Sequence, residues 1–81
     1  MVNDVMEEIV DLLKSEPFII EESITKDSNI KMLPVWDSLK QLIFLVEVEK
    51  KFKIEIFPEE VASIITIGDL IKKIEEKQIL G

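Results

Sequence analysis

The sequence contains no cysteine and no histidine. The first absence excludes a disulfide staple, a thiolate metal site and a cysteine nucleophile. The second excludes more, because it removes every Ser-His or Cys-His pair and every imidazole metal ligand. A self-contained hydrolase is therefore not expected. Glycine occurs only at 68 and 81, and proline only at 17, 34 and 58. There is no internal repeat and no low-complexity tract. No apolar stretch is long enough to span a bilayer. The opening residues, Met1 to Glu8, are acidic, whereas a secretory signal needs a basic start and an apolar run. The cytoplasm is the expected compartment.

What is present fits one small domain over residues 1–81. The chain begins with Met and one domain fills it, so a freestanding protein is expected. A domain of this size buries only about 60% of its unfolded surface. Its 47% of hydrophobic residues suffice for a core, and its 33% of charged residues suit a hydrated surface. Ten Lys plus Arg stand against seventeen Asp plus Glu, a formal charge of −7. That balance disfavours nucleic acid and anionic membrane as partners and favours basic surfaces.

Apolar spacing and caps divide the chain. Residues 3–15 read as a first helix, with Val2, Met6, Ile9 and Leu13 at helical spacing, joined by Val5 and Leu12. Asn3 or Asp4 can cap it, and Glu7, Glu8 and Asp11 suit the positive end of its dipole. Residues 16–36 form a long connection with a turn cluster at 25–29. Its apolar residues Phe18, Ile20, Ile24, Ile30 and Leu33 are too frequent for a solvated linker. The loop is expected to lie on the bundle with several of them buried. Residues 38–53 are the strongest helix, with Asp37 as cap. This helix has two apolar stripes, one through Leu39, Leu42, Ile43 and Val46, the other through Phe44, Leu45, Val48 and Phe52. A bundle core needs only one wide stripe. Either the buried face is broad, or Leu39, Leu42 and Val46 are partly exposed. Residues 54–57 read as an extended linker with Ile54 and Ile56 pinned to the core. Pro58 opens a short helix to about residue 64, proline being tolerated in a first turn. Residues 67–78 form the last helix, with Thr66 and Asp69 at capping-box spacing and Ile67, Leu70, Ile71 and Ile74 as its buried stripe. The expected fold is all-α: a four-helix bundle of three main helices, a short third helix and a long first loop.

The residues that carry chemistry are Asp37-Ser38-Leu39, at the head of the best helix. Asp37 fixes the turn as a cap. Ser38 then falls on the first helical position, near backbone N–H groups that no helical carbonyl reaches. Such a helix end favours a phosphate. Leu39 begins the apolar stripe beside it. The triplet alone is a weak signal, since a Ser after an Asp usually only caps a helix. The chain holds its own control in Asp27-Ser28, where Asn29 and a turn cluster follow instead of a helix.

The stretch from Trp36-Asp37-Ser38-Leu39 through Phe52-Lys53-Ile54-Glu55-Ile56 resembles the attachment region of acyl carrier proteins. In that family an Asp-Ser-Leu triplet opens the second helix, a Phe closes it, and an Ile follows in the extended segment. Pro58-Glu59-Glu60-Val61 and Thr66-Ile67-Gly68-Asp69-Leu70 resemble the family's third helix and the cap of its fourth. The likeness covers nearly the whole chain. It implies that a phosphopantetheinyl transferase moves a 4'-phosphopantetheine arm from coenzyme A to the Ser38 oxygen. Asp37 and Leu39 flank that attachment site. The thiol of the arm then carries an acyl group as a thioester, which explains how thiol chemistry can proceed without cysteine. The protein itself is not an enzyme on this reading. Its further partners would be an acyl-activating ligase or synthase and an acyltransferase, contacted through Leu42, Ile43, Val46 and Glu47. A monomer is expected of a carrier that visits several active sites. The cargo can be acyl, as in fatty-acid or polyketide synthesis, or aminoacyl (D-alanyl, for example) or peptidyl.

The sequence departs from the fatty-acid carriers in two places. They carry Gly two residues before the Asp, where this chain has Val35, with Trp36 between. Their second helix is strongly acidic, whereas residues 38–53 hold Glu47 and Glu49 against Lys40, Lys50, Lys51 and Lys53, a local +2. An apolar Ile43 stands where an acid is common. Both point to a specialised carrier rather than the housekeeping type, with docking through apolar residues. Ile43 can equally be core. Trp36 reads first as a packing anchor for the loop, and alternatively as a ring flanking the arm.

Three rivals start from the same letters. A Gly-Asp-Ser-Leu esterase needs a histidine and a longer chain. A calcium loop from Asp27 would have Met32 in place of Gly at its sixth position and Ser38 in place of Glu at its twelfth. A helical interaction domain without a prosthetic group remains, and in it Ser38 is only a surface residue near a cap.

Overall fold

The first helix starts where the sequence offers a cap. In the computed structural model, which describes residues 4–80 (side chains to residue 78), the Asp4 carboxylate accepts the Met6 N–H at 3.2 Å. Helix α1 then runs Val5–Lys14, with Glu7 and Glu8 in its first turn and Lys14 in its last, each suited to the dipole. It buries Ile9 and Leu13 and packs Val5, Met6 and Leu12 against the core. The expected cap at Asn3 and packing at Val2 lie outside the described residues. The Ser15 N–H bonds back to the Leu12 carbonyl at 3.1 Å and closes the helix.

The long connection lies on the bundle. Phe18, Ile20, Ile30 and Leu33 are buried, and Ile24 is partly so. Its backbone is fastened at both ends, as buried polar groups require. The Ile20 N–H donates to the Leu13 carbonyl at 2.8 Å. The Ile30 N–H donates to the Ile65 carbonyl at 3.0 Å, and the Ile67 and Gly68 N–H groups donate to Ser28 and Lys26 at 2.9 and 2.8 Å. Asn29 and Thr66 form an isolated antiparallel bridge. Gly68 lets the two segments approach closely there, since a Cβ would stand 3.1 Å from the Lys26 carbonyl oxygen. A single 3₁₀ turn, Ile30–Met32, is capped by Asn29, whose side chain accepts the Lys31 N–H at 3.0 Å.

Helix α2, Ser38–Phe52, buries Phe44, Leu45, Val48 and Phe52. It stops at Lys53, which is left-handed at φ 56° and ψ 47°. The other stripe is largely outside the core: Leu39 is 63% exposed, Leu42 61% and Val46 38%. The narrow-core alternative is the one adopted. Ile54 and Ile56 follow outside any helix, partly buried against the core, and Glu49 accepts the Ile56 N–H at 2.8 Å.

Helix α3, Pro58–Val61, is one turn shorter than the sequence pattern suggested. The Ser63 N–H and hydroxyl both bond the Glu60 carbonyl, at 3.1 and 2.8 Å, and Ile64 turns into the core. A serine that captures a local carbonyl competes with helix continuation. Helix α4, Ile67–Leu80, starts in a reciprocal box: the Asp69 N–H donates to Thr66 Oγ1 at 3.1 Å, and Asp69 Oδ2 accepts the Thr66 N–H at 3.0 Å. Ile67, Leu70, Ile71 and Ile74 are its buried stripe, as expected. The chain is an all-α four-helix bundle, with no strand among the described residues.

Candidate functional site

Asp37 sits in extended backbone at the head of α2, and its Oδ1 accepts the Lys40 N–H at 2.8 Å. That satisfies one of the first-turn donors. The Ser38 and Leu39 N–H groups lie beyond the reach of any helical carbonyl. Ser38 is therefore the first residue of α2, exposed, at a helix end whose dipole and free donors suit an anion.

The segment before it is held by aromatic packing. The Trp36 ring stacks on Phe18 at 5.5 Å between centroids and meets Phe44 edge-on, also at 5.5 Å. Phe18 and Phe44 meet edge-on at 5.7 Å. The Trp36 indole N–H donates to Gln41 Oε1 at 2.8 Å, and its backbone N–H donates to the Leu33 carbonyl at 3.2 Å. Trp36 is thus a packing anchor that ties the loop to the first turn of α2. The residue before it, Val35, is left-handed at φ 50° and 78% exposed. A β-branched residue in that region is strained.

Beside Ser38 lies an open cavity of about 370 Å³, lined by Lys31, Trp36, Asp37, Ser38, Gln41 and Val61. The Gln41 amide nitrogen is buried with no partner. An exposed hydroxyl, two free backbone donors, a cation and an adjoining cleft are compatible with a phosphodiester on Ser38 and an arm leading away from it.

The remaining residues singled out from the sequence fall in two groups. Leu39, Leu42 and Val46 share one exposed face of α2. Ile43 is half-buried against the core, so its side chain is mainly packing. Glu47 is partly buried on its own flank and pairs with Lys50 at 3.8 Å. Lys31, Gln41 and Val61 were not foreseen as lining the site. Gln41 had a signal: it sits three residues after Ser38, and helical side chains lean towards the preceding turn. Lys31 and Val61 had none, because they come from the loop and from α3.

Two carboxyls are held below their ordinary range, and both serve helix starts. Glu60 is lowered to about 2, chiefly by the 2.8 Å bond from Lys77 and then by the Phe57 N–H at 2.9 Å. Asp69 is lowered by the N–H groups of Thr66 and Ile65. No group of three or more His, Cys, Asp or Glu residues that could hold a metal ion occurs among the described residues. No described helix is long and apolar enough to cross a membrane. No protein-family model matches the chain.

Proposed function

We propose that this chain is an acyl-carrier-type protein that carries a thioester on a 4'-phosphopantetheine arm attached to Ser38. The observation that carries the reading is the position of Ser38: exposed, first in a capped helix, with an open cleft beside it. In the attachment step, a transferase removes the Ser38 proton and the oxygen attacks the phosphorus next to pantetheine in coenzyme A. The new bond is Ser38 O–P, and the bond broken is the P–O bond to adenosine 3',5'-bisphosphate. The backbone N–H groups of the first turn of α2, with Lys31 from the same cleft, would hold the phosphodiester. Asp37 holds the turn, and the protein supplies no catalytic group of its own. The terminal thiol of the arm supplies the nucleophile for acyl loading when the arm is bound. The working compartment is the cytoplasm, where coenzyme A and the transferase meet it. Its loading partner is an acyl- or aminoacyl-activating enzyme.

The test is intact mass after incubation with coenzyme A and a broad-specificity phosphopantetheinyl transferase, with Ser38→Ala alongside. A gain of one phosphopantetheine on the parent protein alone is the expected result. No gain on either, with the parent shown to be folded, overturns the reading in favour of an interaction domain without a prosthetic group, a reading favoured by the exposed apolar face of α2.

A further inference from the structure

The exposed face of α2 has an order along its length. Leu39, Leu42 and Val46 fall at i, i+3 and i+7, so they stand on one side of the helix. Lys50 follows Val46 by four residues on the same side and is exposed. Its pairing with Glu47 is at 3.8 Å with the Lys50 side chain 72% exposed, a contact worth little in water. Lys51 and Lys53, also exposed, flank it. The face is therefore apolar for its first half and cationic for its second, with Ser38 at the apolar end.

Charge makes the segment that carries this face unlike the rest of the molecule. Residues 38–53 hold two acids and four bases, a sum of +2. Everything else holds fifteen acids and six bases, a sum of −9. An acidic partner is repelled from most of the surface and admitted here, which orients its approach. A second copy of the chain fits poorly, because a two-fold contact through this face would set its lysines against more positive charge.

We infer that α2 docks a partner protein whose binding surface pairs an apolar stripe, set against Leu39, Leu42 and Val46, with carboxylates opposite Lys50 and Lys53. The inference rests on the carrier reading only in taking the face beside Ser38 as the one a partner must reach.

The experiment uses the unmodified full chain, so its outcome is independent of whether Ser38 takes the arm. Two synthetic amphipathic helical peptides with the same leucine stripe, one Glu-rich and one Lys-rich, are titrated into isotope-labelled protein and followed by amide shifts. The Glu-rich peptide should bind saturably, shifting Leu39, Leu42, Val46 and Lys50, and at least about tenfold more tightly than the Lys-rich one. Leu42→Asp, at an exposed position that folding tolerates, should abolish binding, and Lys50→Glu with Lys53→Glu should reverse the preference. Equal or tighter binding of the Lys-rich peptide overturns the proposal. So do shifts centred elsewhere, no binding of either peptide, or self-association through Leu42 in sedimentation.

Discussion

The Trp36 indole N–H donates a 2.8 Å hydrogen bond to Gln41 Oε1 and so joins the end of the long loop to the first turn of α2. Asp37 and Ser38 lie between the two partners in sequence. The bond is partly buried, so breaking one side leaves a polar group without water. Trp36→Phe and Gln41→Leu should each destabilise by about 1–3 kcal/mol. The double variant should recover part of that loss, since replacing both partners removes the orphan. Urea unfolding of the four proteins measures it.

The cap at Asp37 is separable from the hydroxyl at Ser38. Asp37→Ala should cost about 0.5–2 kcal/mol, and Asp37→Asn much less, because Asn caps as well. Ser38→Ala should stay within about 0.5 kcal/mol of the parent, being exposed and outside any packing. Thermal melts of the three variants decide this. Large destabilisation by Ser38→Ala would make the hydroxyl structural and undercut its role as an attachment point.

Val35 has a φ of 50°, a backbone conformation that Gly adopts without strain. Val35→Gly relieves strain of about 1–3 kcal/mol. It adds unfolded-state entropy worth about 0.4–1 kcal/mol. The exposed side chain gives up little burial. A net stabilisation of roughly 0–2.6 kcal/mol is expected, read as a higher denaturation midpoint with an unchanged slope.

Phe44 is fully buried at the centre of the aromatic trio, and Phe52 is 7% exposed at the far end of α2. Either residue changed to Ala should cost about 3–5 kcal/mol. That rivals the whole stability of a domain this small. Loss of the cooperative transition in circular dichroism is the expected observation.

Glu60 joins α3 to α4 through Lys77 at 2.8 Å and Lys73 at 3.5 Å. Its folded-state pKa, about 2, lies below its ordinary 4.5. The carboxylate therefore stabilises the fold fully above pH 4.5, and that contribution is lost as pH falls from 4.5 towards 2. Glu60→Gln should flatten the acid limb of the stability profile while leaving the protein folded at neutral pH. An unchanged acid limb would mean that the Lys77 contact does not persist in solution.

Helix positions were legible because their signals are local. Asp37 capping α2, Thr66 with Asp69 opening α4, and Pro58 beginning α3 each act on groups within a few residues. The end of α3 was misjudged because Ser63 can either continue a helix or capture the Glu60 carbonyl, and the packing of Ile64 favours the second.

The sequence by itself determined the helix order, the all-α class and the placing of an exposed-type Ser at the start of the strongest helix, since each follows from spacing, caps and prolines along the chain. The tertiary structure alone decided which stripe of α2 is core. Both stripes are apolar, and the packing of Phe44 on Phe18 and Trp36, with Val48 and Phe52 also in the core, turns the second one inward and leaves Leu39, Leu42 and Val46 largely in water. It also decided what surrounds Ser38. Lys31 and Val61 reach that cleft from segments distant in sequence, held there by backbone bonds from Ile30 to Ile65 and from Ile67 to Ser28 that no local pattern encodes.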